Sequence, residues 1–246
     1  MRGINIIKKS VYLVAFSLYS FTVSAQSLKV GLIDYPPHIN FDEALNKSPL
    51  YQYVNTVLLP LDLHVEFIKL PRKRATLELM KGNIDLLLPS STSLENKTKK
   101  KLSSSIFQSV PGLCFKKESF IPILSATHRF DDLTIGVHIN SSVVAGLKDS
   151  EAQLVYIGGD NATKRGMEMT KKGRIDAFYH PSPINVYHRK SLIYKEIACS
   201  YFHGYSTPVY IAVADTLPTK KFRLIDNAFQ NAMLKQTYEY YFASRK

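Results

Sequence analysis

The chain has 246 residues, 45% of them apolar and 21% charged, which is enough to bury one or two sizeable cores and excludes a disordered, collagen-like or coiled-coil chain. With 32 Lys and Arg against 20 Asp and Glu the formal charge is +12, so an anionic ligand, surface or polymer has to be weighed as a partner.

Residues 1–25 read as a signal peptide. Arg2, Lys8 and Lys9 form a basic start, Val11 to Val23 an apolar run, and Val23-Ser24-Ala25 supplies the small residues that precede a cut. The run is 13 residues long, short of the roughly 20 that span a bilayer. Cleavage after Ala25 leaves 29 basic residues against 20 acidic ones, with no Cys beside the cut to accept a lipid anchor. The expectation is a free, monomeric protein of the periplasm.

Leu28 to Leu32 predicts a first strand. Tyr35-Pro36-Pro37 stands at its carboxyl end, where two prolines stiffen the chain around a ring that either meets a ligand or packs a turn. Val65 to Ile68 predicts a second strand. Leu70-Pro71-Arg72-Lys73-Arg74-Ala75 then leads into a helix, with Arg72 and Arg74 placed either to clamp a carboxylate or phosphate or to stand as solvated charges. Gly82 suits the left-handed position past that helix, and Leu86 to Leu88 reads as a buried parallel strand. Beyond it, the hydroxyls and N–H groups of Ser90-Ser91-Thr92-Ser93 fit either an anion or a plain helix cap. Lys97 heads a run with Lys99, Lys100 and Lys101; such runs are usually solvated, and Lys97 is its one candidate for ligand contact.

The second half echoes the first. Leu133 to Val137 matches Leu28 to Leu32, and Asn140-Ser141-Ser142 repeats the donor-rich step past a strand. Leu154 to Ile157 predicts the next strand, and Thr170-Lys171-Lys172-Gly173-Arg174-Ile175-Asp176 matches Leu79-Met80-Lys81-Gly82-Asn83-Ile84-Asp85. Asp85 and Asp176 begin their strands and read as turn partners. Ala177 to Tyr179 ends in Tyr179, His180 and Ser182, which are candidates for the same space as the first-half donors. Each half thus reads β-α-β-α-β, the pattern of a right-handed parallel sheet whose ligand site lies beyond the carboxyl ends of its strands. Thr207 to Ala214 adds a strand, and Lys221 to Phe242 a single amphipathic helix packed through Phe222, Ile225, Phe229, Met233 and Leu234.

Cys114 and Cys199 form either a disulfide, possible in an oxidising compartment and worth about 4 kcal/mol for so long a loop, or two separate buried apolar residues. The sequence shows no Gly-x-Ser-x-Gly elbow, His-Glu-x-x-His pair, Walker loop or Cys-x-x-Cys pair, so no enzyme, metal or cofactor signature is expected. No basic-aromatic motif for nucleic acid is present either.

The order and spacing of Tyr35-Pro36-Pro37, Leu70 to Ala75, Gly82-Asn83-Ile84-Asp85, Gly173-Arg174-Ile175-Asp176-Ala177 and the final helix resemble the family 3 extracellular solute-binding proteins over residues 28 to 246. The resemblance implies an α/β, two-lobed type II periplasmic binding fold, with two crossovers around a cleft. Lobe 1 would comprise residues 28–108 plus 208–246, and lobe 2 residues 109–207. It implies capture of a small polar ligand, anionic or zwitterionic, for an inner-membrane transporter or sensor. The alternatives are a sensory or co-receptor module, or a dehydratase- or lyase-like enzyme on the same scaffold. The implied site is Tyr35, Arg74, Ser90, Ser91, Thr92, Lys97, Asn140, Ser141, Ser142, Tyr179 and His180, with Arg74 preferred to Arg72. Receptors for α-amino acids in that family hold the carboxylate with an Arg and the ammonium with an Asp; here those places fall near Lys97 and Pro181, so an ordinary amino acid would lose a bidentate clamp and a counter-ion.

Overall fold

The structure, a computed structural model, describes residues 27–91, 100–121, 124, 130–139, 141–159, 161–182 and 195–244. The expected signal peptide lies outside them. Within them no helix is long and apolar enough to cross a membrane.

Two sheets organise the chain. The first holds β1 (Ser27–Leu32), β2 (His64–Lys69), β3 (Leu86–Ser91), β4 (Lys100–Lys101), β5 (Phe107–Ser109) and β11 (Thr207–Val213), in the order β2-β1-β3-β11-β4 with β5 also on β11. The second holds β6 (Gly112–Lys116), β7 (Thr134–His138), β8 (Gln153–Ile157), β9 (Ala177–His180) and β10 (Ile197–Tyr201), in the order β10-β6-β9-β7-β8. In each, three parallel strands are followed by one antiparallel strand: β11 against β3, and β6 against β9. The chain crosses between sheets twice, after Ser109 and again between Tyr201 and Thr207.

The internal repeat has a physical basis in both sheets. Lys29 N–H donates to Asp85 Oδ2 at 2.8 Å and Asp85 N–H to Lys29 carbonyl at 2.8 Å. Thr134 N–H donates to Asp176 Oδ2 at 2.7 Å and Asp176 N–H to Thr134 carbonyl at 2.8 Å. Each Asp thus ties the start of its strand to the start of the lobe's first strand, well away from the carboxyl ends. Gly82 and Gly173 take φ of +72° and +65°, which an L side chain resists and which turns the chain from helix to strand. In mid-strand, a Cβ on Gly31 would lie 2.5 Å from Ile84 Cδ1 and one on Gly136 2.6 Å from Ile175 Cδ1, so the isoleucine after each turn packs over a bare backbone.

Alternation along β1 sends Leu28, Val30 and Leu32 to one core, with Leu50, Val54 and Leu58 of α1 (Pro49–Leu58) and Ile225 and Phe229 of α5 (Thr219–Lys235). The opposite face packs Ala75 and Leu79 of α2 (Arg72–Met80) on Ile84 and Leu87. The second sheet is covered likewise by the single turn α3 (Ala145–Lys148) on one face and by α4 (Ala162–Lys171) on the other. Two expectations are corrected. The C-terminal helix is broken: Gln236 is extended at φ −157°, and Thr237 caps a separate α6 (Tyr238–Ala243) by accepting from Tyr240 N–H. Leu234, expected to pack, is 86% exposed, because five residues past buried Phe229 it is turned about 140° away from the helix's inward face.

Cys114 and Cys199 face each other as a cross-strand pair of β6 and β10 and are disulfide-bonded, 85 residues apart in sequence. The bond fastens β10, an edge strand of the second sheet, just before the chain returns to the first. Replacing both cysteines by alanine is expected to lower the unfolding free energy by roughly 2–5 kcal/mol, read by urea denaturation; a loss below about 1 kcal/mol would mean that the unfolded chain gains little from the released loop.

Candidate functional site

The carboxyl ends of the parallel strands in both sheets converge on a cavity of about 300 Å³. Tyr35, Arg72, Pro89 and Ser90 line it from the first sheet's strand ends, and Ser141 to Ala145, Tyr179 and Pro181 from the second. Ser109 and Pro111 line it from the first crossover, and Tyr205 to Thr207 from the second.

Arg72 is the only charged residue among the described residues lining the cavity, and within them its guanidinium has no hydrogen-bond or ion-pair partner. Burial lowers its pKa from the ordinary value, opposed by the nearby Tyr35 and Asp34. Arg74, the expected clamp, points elsewhere: it is an exposed side chain in an i,i+4 pair with Glu78, Nε to Oε1 3.7 Å. Helical geometry gives the reason. Successive residues turn by about 100°, so Arg72 and Arg74 occupy opposed faces. Ala75 and Leu79 define the inward face, and Arg72 shares it at i−3 and i−7.

Tyr35 is fixed by the turn in which Tyr35 N–H donates to Ile39 carbonyl at 2.8 Å and Ile39 N–H returns to Tyr35 carbonyl at 3.0 Å. Its hydroxyl lies 2.9 Å from Ser109 Oγ, and Ser109 Oγ donates to Pro181 carbonyl at 2.5 Å. A carbonyl can only accept, so the one serine proton goes to Pro181 and Tyr35 is the donor to Ser109. Burial raises the Tyr35 pKa, with the Ser109 bond and Arg72 acting against it, so the phenol keeps the proton this chain of bonds requires. The relay runs from the first sheet's Tyr35 and Ser109 to Pro181 beyond β9, and so ties one sheet to the other.

A second tie lies beside it. His38 is buried, with Nδ1 2.8 Å from Tyr238 Oη and Nε2 3.2 Å from Ser182 Oγ, and its ring stacks on Phe107 with centroids 4.2 Å apart. Burial, with the neighbouring His180 adding to it, pushes its pKa down to about 3.

Tyr179 and His180 separate because strand side chains alternate. Tyr179 lines the cavity and its hydroxyl donates to Ser142 carbonyl at 3.1 Å, holding the 141–145 segment in place. His180 does not line it: the ring is buried beside Phe178, and its Nδ1 accepts Ser182 N–H at 3.0 Å. Ser90, Ser141 and Ser142 do line the cavity, whereas Ser91 extends β3 by pairing with Val209. Thr92, Lys97 and Asn140 lie outside the described residues. Ser109, Pro111, Ser206 and Thr207 were not legible as site residues; only the crossovers bring them to the strand ends.

No protein-family model matches the sequence, and no curated protein matches it. Solved structures do. The ligand-binding core of GluR0 in complex with L-glutamate superposes with a TM-score of 0.71 at 14% identity, covering 89% of this chain and 97% of that one. The amino acid ABC transporter substrate-binding protein AbpA from Streptococcus pneumoniae, bound to L-arginine, gives 0.68 at 15% identity over 88% of this chain and 92% of that one. The ancestral amino-acid-binding protein AncCDT-1, a precursor of cyclohexadienyl dehydratase, gives 0.68 at 17% identity, with 89% and 94% covered.

Two outcomes test the ties. In Ser109→Ala the Pro181 carbonyl and Tyr35 hydroxyl lose their partner, and stability is expected to drop by about 1–3 kcal/mol with a rise in radius of gyration by small-angle X-ray scattering. An unchanged radius would show that the relay does not hold the sheets together. For His38 the folded value of about 3 lies below the ordinary 6.5, so between these pH values the unfolded chain binds a proton the folded chain refuses. Its contribution is full above pH 6.5 and falls as pH drops toward 3, by up to about 1.4 kcal/mol per pH unit. Urea unfolding from pH 7 to 4 should therefore give a flatter profile for His38→Gln than for the wild type, and parallel profiles would refute this.

The comparisons and the geometry together establish the architecture: the chain has the two-lobed α/β fold of periplasmic substrate-binding proteins, with its cavity where the lobes meet.

Proposed function

We propose that this is an exported, periplasmic solute-binding protein that captures a small polar solute by closing its lobes and presents it to an inner-membrane transporter or sensor. The lobes are residues 28–108 plus 208–246 and residues 109–207, hinged at the two crossovers, with the solute held unchanged. The observation that carries the reading is Arg72, a guanidinium with no partner among the described residues, set in a cavity lined by both sheets. A lone cation there is matched by an anionic group on the solute, and the hydroxyls of Ser90, Ser141 and Ser142 supply further donors.

The test is thermal unfolding of the mature chain against amino acids, organic acids, phosphate, polyamines and sugars. A ligand at 100 times its Kd stabilises by about 2.7 kcal/mol, a shift of about 5–10 °C for a chain of this size. The reading predicts such a shift from an anionic compound that is recovered intact. A compound recovered chemically altered would replace capture by catalysis, and a shift from polyamines alone would overturn the anionic reading.

A further inference from the structure

The hydrogen bonds around the cavity are distributed unevenly between donors and acceptors. Its wall offers a positive charge and no negative one: among the described lining residues there is Arg72 and no Asp or Glu. Three of the wall's oxygens already accept from its own hydroxyls. Pro181 carbonyl accepts Ser109 Oγ at 2.5 Å, Ser109 Oγ accepts Tyr35, and Ser142 carbonyl accepts Tyr179 Oη at 3.1 Å. The Ser206 hydroxyl is turned to Gln108 Oε1 at 3.0 Å. Among the described residues no partner meets the five guanidinium N–H groups of Arg72. Apolar wall is contributed by Pro89, Val143, Val144 and Ala145, which suits a carbon skeleton better than a bare inorganic ion.

Resting on the capture reading above, we infer that the cleft selects a small organic acid that carries no ammonium group. A carboxylate gains a bidentate pair with Arg72 while a short carbon chain covers the valine and proline wall. An α-ammonium on the same skeleton is a second cation beside the Arg72 guanidinium, in a cavity with no carboxylate among its described lining residues to offset the cost of desolvating it. The structure thus discriminates by an unpaired charge as well as by attraction.

The experiment uses matched pairs on the mature chain: lactate with alanine, succinate with aspartate, glutarate with glutamate and 4-methylpentanoate with leucine, with inorganic phosphate alongside. At least one amino-free acid is expected to raise the melting temperature, its α-amino counterpart to need at least tenfold more compound for the same shift, and Arg72→Met to abolish the response. Arg72→Lys, which keeps the charge without the planar fork, should bind more weakly than wild type and reports on folding of the site. An α-amino acid binding as well as its amino-free partner, phosphate alone binding, or an undiminished response in Arg72→Met would each overturn the inference and leave solute capture standing. No shift from any compound, here or in the wider panel, would remove both.

Discussion

A guanidinium that cannot shed its charge, set at the inner end of a helix between two lobes, is the constraint around which the cleft is built. Arg72 stands on the same stripe of α2 as Ala75 and Leu79, whose burial fixes the rotation of the helix against the first sheet. Turning Arg72 into solvent would lift those two residues out of the core. The charge is therefore a consequence of packing, and its partial relief by Tyr35 and Asp34 leaves the fork of donors turned to the cavity. Burying a cation without a full partner costs stability, and proteins accept that cost where a ligand completes the pair.

The lobes can present this cavity because both are built by one rule. A carboxylate at the start of the third parallel strand binds the backbone at the start of the first, a left-handed glycine turns helix into strand, and an isoleucine fills the space over a bare glycine backbone. The carboxylate and the turn lie at the amino end of the third strand, and the bare glycine lies within the first. The carboxyl ends carry the cavity, and that is where Tyr35, Ser90, Ser141 and Tyr179 gather, Tyr35 and Tyr179 also tying neighbouring segments together. The repeated devices and the candidate cavity thus sit apart on the same sheets, as is general for ligand sites in open α/β folds.

Most of the architecture was legible because its signals are local. The paired Gly-x-Ile-Asp landmarks and the apolar strands needed only neighbouring residues to be read, and the structure sets each in a corresponding place, whereas the choice between a disulfide and two separate buried cysteines stayed open until strand register brought Cys114 against Cys199. The break at Gln236 was not legible, since the apolar pattern runs on through Tyr238 and Phe242, both of which pack on His38, while only the backbone departs from the helix. In the site, Tyr35, Ser90, Ser141, Ser142 and Tyr179 follow from standing at strand ends. Arg74 was preferred, yet it is Arg72 that lines the cavity, and the signal for that was present in the spacing of Ala75 and Leu79. Ser109, Ser206 and Thr207 carry no local signal at all; they reach the cavity because the chain crosses between sheets at those points, a fact of topology rather than of pattern.

The place of the polar ties bears on how the lobes would close under the proposed capture reading. The Tyr35–Ser109–Pro181 relay and the His38–Ser182 contact both join the first lobe to the segment just beyond β9, the segment that follows Tyr179 into the cleft. The relay uses the hydroxyl donors of Tyr35 and Ser109, both of which line the cavity, and under the proposed capture reading a ligand would then not have to supply all of the closing free energy. In a two-state equilibrium that raises the fraction of protein competent to bind and lowers the apparent Kd in proportion. Under the same reading the ties would limit how strongly a ligand's presence is reported, because a protein already partly closed changes less when it fills. Neutral hydroxyls and a neutral imidazole suit this balance: each bond contributes modestly in net terms, about 1 kcal/mol, so the ties bias the hinge without locking it.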